Sequence, residues 1–511
     1  MAFSIMLQGT SSNVGKSIVT TALCRILKQD GYRPVPFKAQ NMALNSYVTK
    51  TGGEMGRAQV AQAEAAGLEP DVLMNPVLLK PTGNSSSQII VMGKAVGTMS
   101  AKDYHQGYSL QALDVVRQAL EKLQAEYDVL VIEGAGSPAE VNLKANDIVN
   151  MRVAKMIGAP VLLIADIDRG GALASVVGTL ELLEPEERDL VKGIVINKFR
   201  GDIKLLEPAL TFLEEKTGKP VVGVLPYLDN HGIDDEDSVV LDEKSSIKNS
   251  ELDIAVIRLP KISNFTDFDA LARENVSLRY VKGVANLGKP DLIILPGSKN
   301  TTEDLLFLKE SGLEKEIIKL HKSGTPVIGI CGGYQMLGRE VQDPEHSESD
   351  LDSLPGLNLL PVVTVFEAEK VTRQVKVQAQ GHDFLGMDFS GQNLTGYEIH
   401  SGRTSYLEEQ VNTAFKVDRF DEQGVSDGAI SDNKLVLGTY VHGIFDNDEW
   451  RAQLIKALYK HKGLDMDNAP TINIQELKEQ AYNNLAEQVR KNMDMQKLYA
   501  IIGFEECDNA K

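Results

Sequence analysis

The stretch SIMLQGTSSNVGKSIVTTALCRIL, Ser4 to Leu27, decides the fold class of the N-terminal half. Ser4 to Gln8 is short, apolar and closed by Gly9, as a strand is. Beyond Ser17, Ile18, Val19, Ala22, Leu23, Ile26 and Leu27 recur at the spacing of one helix face. The loop Gly9 to Ser17 lies between them, so the local order is strand, loop, helix. A phosphate held there needs close backbone N–H donors, which calls for the small Gly15, and a helix N-terminus whose partial positive charge faces the anion. Lys16 adds a full charge for the outer phosphates, and the Ser17 hydroxyl suits a magnesium ion bound to them. The usual pattern is Gly, four residues, then Gly-Lys-Ser or Gly-Lys-Thr. Here Thr10 holds the first position and Gly9 stands one step earlier, so the loop is a variant. Thr10, Asn13, Gly15, Lys16 and Ser17 are its nucleotide-binding candidates; the bland alternative is a Gly-containing turn with an incidental lysine.

Working outward, Val129 to Ile132, Val161 to Ala165, Gly193 to Asn197 and Val221 to Leu225 are Val- and Ile-rich runs alternating with amphipathic segments. That is the pattern of a parallel sheet covered by helices. From Asp229 to Leu252 the chain turns acidic, polar and irregular, as a connecting segment does. Asp253 to Leu259, Asp291 to Leu295 and Val327 to Ile330 then read as strands of a second α/β unit. Pro361 to Tyr440 carries shorter β-like pieces, and Glu449 to Gly463 and Gln475 to Met495 read as helices. The expectation is an α/β chain with two parallel-sheet domains, residues 1–232 and 251–450, a linker at 233–250 and a C-terminal helical extension at 451–511.

A length of 511 residues fits more than one core. Hydrophobic residues make up 42% and charged residues 24%, and no run reaches the roughly 18 apolar residues of a membrane span. The start MAFSIMLQGTSS lacks the basic and long apolar segments of a secretory signal. Cys24, Cys331 and Cys507 are too few and too dispersed for a disulfide framework or a structural zinc site, which points to the cytoplasm. With 53 Lys and Arg against 72 Asp and Glu, the net charge of −19 excludes nucleic acid as an expected partner.

In the second half, PVIGICGGYQMLG runs from an apolar strand through Cys331 into a helix. A sharp strand-to-helix turn requires small neighbours, here Gly329, Gly332 and Gly333, and exposes a thiol at a helix N-terminus that favours thiolate. Alone, such a cysteine reads as a small buried hydrophobe. Its context differs: ILPGSKNT brings Gly297 to a strand end, where its N–H and that of Gly332 suit an oxyanion. LVLGTYVHGIFDN places His442 after an apolar run, as a base or ion-pair partner for the thiol. These three segments, in this order, resemble the class I glutamine amidotransferase domain. The resemblance implies that Cys331 and His442 release ammonia from L-glutamine through an acyl-enzyme. Most of that class has an acid two residues after the histidine; Ile444 stands there in this chain. The expectation is therefore a dyad, with Asp446 or a backbone carbonyl orienting the imidazole.

The N-terminal half, a P-loop NTPase-like domain, has two further motifs. VIEGAGS puts Glu133 at a strand end, where open parallel sheets bind ligands, and INKFRGD does the same for Asn197. With the variant loop, they resemble the dethiobiotin synthetase and cobyrinic/cobyric acid synthase group. That resemblance implies magnesium on Ser17 and Glu133 and adenine read by Asn197; a solvated acid and a turn asparagine are the plain alternatives.

PFKAQNMALNSYVTKTGGEMGRAQVAQAEAAGLEPDVLMNPVLLKP, Pro36 to Pro81, followed by SSSQIIVMGK, NFTDFDAL and GYEIHSGRT, closely resembles the adenosylcobyric acid synthase family over essentially the whole chain. It implies ATP- and magnesium-dependent amidation of carboxylates b, d, e and g of adenosylcobyrinic acid a,c-diamide through acyl phosphates, with glutamine as nitrogen donor. The family also lacks the acid that Ile444 replaces. Lys38, Gln40, Asn41, Asn45 and Lys80 offer donors for a substrate with several carboxylates, or are solvated surface groups. His400 and Arg403 mark a second corrinoid-facing surface or a structural loop. Other readings are a related carboxylate amidase and a P-loop ATPase with a noncatalytic amidotransferase-like domain. No sequence feature sets the oligomeric state.

Overall fold

A computed structural model describes all residues except 1, 83–84, 229–231, 235–240, 242–249, 381–382, 388–390, 420–421, 466–471 and 505–511, with side chains at 105–106 and 368–369 also left out. Most of the expected linker at 233–250, and Cys507, lie outside the described residues. The chain forms two compact units, Met1–Ala43 with Met55–Asp234 and Gln475–Lys511, and Leu44–Glu54 with Asp235–Ile474.

The first unit is built on a six-stranded sheet in the order Val221–Pro226, Val191–Phe199, Val161–Asp166, Phe3–Gly9, Val129–Glu133, Pro34–Phe37. Every pairing in it is parallel. Val129–Glu133 is buried at all five positions, as expected of a strand covered on both faces. All five strands read from the sequence are present, and Pro34–Phe37 joins them at the edge. Two prolines in its four residues mask its strand character, and an edge position tolerates them. A smaller sheet, Gln40–Met42, Val77–Pro81, Ser86–Val91 and Lys94–Ser100, lies in the same unit.

Helix Lys16–Gln29 buries Val19, Leu23, Ile26 and Leu27 against Ile5, Leu7, Val131 and Ile164. The same core takes in Tyr482, Leu485, Ala486 and Val489 from helix Ile474–Asn492. Each large aliphatic side chain so buried contributes about 1.5–3 kcal/mol, so the C-terminal helix belongs to the hydrophobic core of this unit.

The second unit has a six-stranded sheet in the order Ser277–Val281, Asp253–Ile257, Leu292–Leu295, Val327–Ile330, Val436–Thr439, Ala429–Ile430, parallel except for the last pair. Both units are thus α/β around parallel sheets. Where shorter β pieces were expected, Val362–Ala379 and Asn393–Tyr406 form one long antiparallel pair. A register shift between Phe366 and Val371 interrupts it, and such a bulge breaks the alternation from which strand length is read. Among the described residues, no helix is long and apolar enough to cross a membrane.

Candidate active sites

In the first unit the candidate site gathers at the C-terminal ends of the parallel strands. Gly15 precedes helix Lys16–Gln29 with φ 95°, and a Cβ there would stand 2.2 Å from Asn197 Nδ2. Both facts require glycine. Lys16 Nζ reaches over the loop to the carbonyls of Ser11 (3.2 Å) and Gly136 (3.1 Å). Asn197 Nδ2 donates to Val14 O at 2.7 Å, and Lys198 Nζ to Asn13 O at 2.6 Å. The Asn197 amide therefore braces the loop with its donor. Thr10 continues the strand pairing, its N–H donating to Ile164 O at 2.9 Å.

Glu133, 1% exposed, stands at the centre of this site. Ser17 Oγ donates to its Oε1 at 2.8 Å, Lys38 Nζ lies 2.9 Å from the same oxygen, and Gln62 Nε2 donates to Oε2 at 2.5 Å. Burial would raise its pKa, but the Lys38 charge and these hydrogen bonds outweigh burial and hold it below the ordinary range. Glu133 is therefore a buried carboxylate beside a hydroxyl, a pair of hard oxygen donors that fits a magnesium ion sharing the rest of its shell with water and phosphates.

Four of the five carboxylate-recognition candidates belong to this unit; three of them are buried and Gln40 is half-buried. Lys38, Asn41 and Lys80 are 5%, 3% and 3% exposed. Lys38 pairs with Glu133, Asn41 Nδ2 donates to Gln59 Oε1 at 2.9 Å, and Gln40 Oε1 accepts from the Tyr104 hydroxyl. Asn45 belongs to the second unit, where its Oδ1 accepts from Thr266 Oγ1 at 3.1 Å.

The second unit holds the thiol. Cys331 follows strand Val327–Ile330 and has φ 51°, ψ −109°, a conformation costly to a residue with a Cβ. The glycines around it permit the turn: a Cβ on Gly333 would stand 2.0 Å from Leu295 O, and one on Gly329 2.7 Å from Gly333 O. Gly332 packs against Ser298 N, 3.0 Å from a Cβ position, and Gly297 against His442 Cε1, 3.1 Å from one. Both expected oxyanion glycines thus lie at the Cys331–His442 site. The loop that follows Gly297 is pinned by Asp304, which accepts from Ser298 Oγ (2.6 Å) and Lys261 N–H (3.0 Å) and whose pKa is pushed up to about 7 by burial.

His442, 1% exposed, does not take its partner from the following residues. Its Nδ1–H donates to Asp267 Oδ2 at 2.6 Å, and Gly443 N–H fills Oδ1 at 3.0 Å. The Tyr397 ring stacks on the imidazole, centroids 5.2 Å apart. Burial disfavours the imidazolium, yet the negative charges of Asp267 and Cys331 raise it to about 10. The third group is therefore Asp267, and neither Asp446 nor a backbone carbonyl occupies that role. Cys331 Sγ contacts Ile399 O at 3.5 Å. Next to Ile399, His400 donates from Nδ1 to Gly402 O at 2.8 Å and stacks on Tyr440. His400 and Arg403 lie on strand Asn393–Tyr406 and do not share a surface, since their side chains are 8% and 78% exposed.

A family profile described as the CobQ/CobB/MinD/ParA nucleotide binding domain matches residues 5–237, and one for the CobB/CobQ-like glutamine amidotransferase domain matches residues 253–450. A cobyric acid synthase of Pelotomaculum thermopropionicum (strain DSM 13744 / JCM 10971 / SI) is 57% identical over 511 residues, 99% of this chain and 97% of its own. Those of Desulfitobacterium hafniense (strain Y51) and Dehalococcoides mccartyi (strain CBDB1) are 56% and 52% identical, covering 98% of this chain and 98% and 99% of their own. The chain belongs to the cobyric acid synthase family. As a member of the cobyric acid synthase family it is an amidating ligase, with a nucleotide-binding domain and a glutamine amidotransferase domain. Asp267 falls in the second matched segment, in NFTDFDAL, a motif that reads only as part of the family likeness. Gln62, on helix Arg57–Ala66, carries no signal of its own in the sequence, since an amide on a helix has no spacing that marks it.

Proposed function

We propose that the chain amidates carboxylates b, d, e and g of adenosylcobyrinic acid a,c-diamide in cobalamin biosynthesis, using ATP and taking nitrogen from L-glutamine. The observation that carries the reading is the buried Asp267–His442 pair beside a strained Cys331 elbow. An inert cysteine needs neither a charged imidazole nor a costly backbone. The names of the full-length relatives support the corrinoid substrate.

In the glutaminase half, Cys331 Sγ as thiolate attacks the side-chain carbonyl carbon of glutamine. The N–H groups of Gly297 and Gly332 receive the negative oxygen. His442, charged while Asp267 holds Nδ1, passes the Nε2 proton to the departing nitrogen, so ammonia leaves and a thioester remains. Neutral His442 then takes a proton from water, which hydrolyses the thioester to glutamate and restores the thiolate–imidazolium pair.

In the synthetase half, a substrate carboxylate oxygen attacks the γ-phosphorus of ATP, ADP departs, and the acyl phosphate formed loses phosphate to ammonia. Lys16 and the loop N–H groups bind the phosphates, Asn197 braces the loop and faces the base, and Lys38 neutralises Glu133. Ser17 and Glu133 would hold magnesium, which supplies charge neutralisation for phosphoryl transfer.

Protein given the corrinoid, ATP, magnesium and amide-15N-glutamine should convert carboxylic acids stepwise to labelled amides, read by mass spectrometry. An unchanged corrinoid mass refutes the substrate. Cys331→Ser should abolish labelling from glutamine while amidation from ammonium salts continues; persistent glutamine-dependent labelling removes Cys331 from the mechanism.

A further inference from the structure

Two residues beyond Gly297, the half-buried side chain of Lys299 lies in the electrostatic field of Cys331, Glu348, Glu54 and Lys370. Among the described residues its ammonium makes no hydrogen bond and no ion pair. Its basic neighbour is engaged differently, since Lys370 Nζ and Glu54 close on each other at 2.6 Å. Glu348 is anchored from below: Thr301 N–H donates to its Oε2 at 2.9 Å, and Asn300 Nδ2 donates to its main-chain carbonyl at 2.9 Å. Thr301 Oγ1 in turn donates to Gln335 Oε1 at 2.9 Å, on the helix that begins at Cys331. A cation two residues past Gly297 and a carboxylate held by Thr301 N–H thus lie within each other's field but beyond the 4.0 Å of an ion pair, and Thr301 Oγ1 stands 3.1 Å from a Cβ position on Gly332, the residue after the nucleophile.

Burial draws the Lys299 ammonium below the ordinary lysine range, with Glu348 opposing that fall. A half-buried charge left without a close partner is unfavourable, and a ligand carrying the opposite charge relieves it. A ligand bearing one charge of each sign relieves both residues together.

We propose that Lys299 and Glu348 bind the zwitterionic head of the amide donor, Lys299 taking its α-carboxylate and Glu348 its α-ammonium, and so present the side-chain amide to Cys331. The assignment rests on glutamine being the donor, as read above. It makes the pair the determinant that separates an α-amino acid amide from a simple amide.

Three amides test it on the full chain: L-glutamine, 4-aminobutanamide, which lacks the α-carboxylate, and glutaric acid monoamide, which lacks the α-amine. Lys299→Met should raise KM for glutamine roughly 10- to 100-fold, the loss of one charge-assisted contact, with kcat changed little. It should leave kcat/KM for 4-aminobutanamide unaltered. Glu348→Gln, which keeps an acceptor for Thr301 N–H, should mirror this, sparing glutaric acid monoamide alone. Lys299→Arg should recover part of the loss. Amidation from ammonium salts checks that each variant is folded. An equal fall for glutamine and 4-aminobutanamide in Lys299→Met means that Lys299 acts only on the architecture around Cys331, and overturns the proposal, as does an unchanged KM for glutamine. If wild-type protein uses ammonium but releases no ammonia from glutamine, the donor reading fails first and this assignment falls with it.

Discussion

Asp267 Oδ2 lies 2.6 Å from His442 Nδ1, and that contact decides two properties of the imidazole. It selects the tautomer that carries its proton on Nδ1, and it favours the charged ring. Asp267→Asn keeps the shape and loses the charge, and an amide can present its NH2 to Nδ1 and stabilise the wrong tautomer. The expected result is a fall in glutamine-dependent kcat of roughly 100- to 10,000-fold, with ammonium-supported amidation retained; a loss of less than about threefold would falsify the orienting role. The same pair makes stability depend on pH. His442 titrates near 10 in the folded chain against 6.5 for an unperturbed imidazole, so the folded state binds a proton that the unfolded state has released between those values. The stabilisation is complete below about 6.5 and is lost as pH rises through about 10. Thermal midpoints should decline over that window in the wild type and decline less in Asp267→Asn; parallel curves would show that the pair is not coupled to folding.

At the scale of elements, helix Ile474–Asn492 has an amphipathic pattern whose destination the sequence does not declare. It supplies Leu485, 3% exposed, to the core built on Ile5, Leu7 and Leu23. Leu485→Ala should destabilise the first unit by about 2–5 kcal/mol in denaturant unfolding, the range for a large-to-small change at a packed site. A change below about 1 kcal/mol would place the helix outside that core. Other elements were legible for local reasons. The strand, loop and helix from Phe3 to Gln29 are contiguous, so composition, helical spacing and the Gly15 constraint act on neighbours. The Cys331 elbow is local too, since its glycines fit contacts made within one turn and the adjacent strand. Strand Pro34–Phe37 and the long pair Val362–Ala379 with Asn393–Tyr406 were harder, because prolines and a register shift obscure the period of two.

For the whole molecule, the proposed glutaminase and synthetase steps are assigned to two different units, and substitutions should sort by unit. Changes at Cys331, Asp267 or Lys299 should spare amidation from ammonium salts, whereas glutamine cannot rescue a defect at the phosphate loop. The family was readable because its motifs are spread along the full length, from the phosphate loop to GYEIHSGRT, and 57% identity to a full-length relative rests on the same spread.

The sequence by itself determined what depends on near neighbours: two parallel-sheet α/β units, a phosphate loop before a helix, a cysteine in a glycine-rich elbow and a histidine after a strand. Tertiary structure decided which distant groups complete those sites. Asp267 reaches His442 across 175 residues, and Gln62 and Lys38 reach Glu133 across 71 and 95. An acid two residues after the histidine can be sought at a fixed spacing. One delivered by a different segment can be found only where the chain folds back, because a hydrogen bond constrains distance in space and leaves the intervening chain length free.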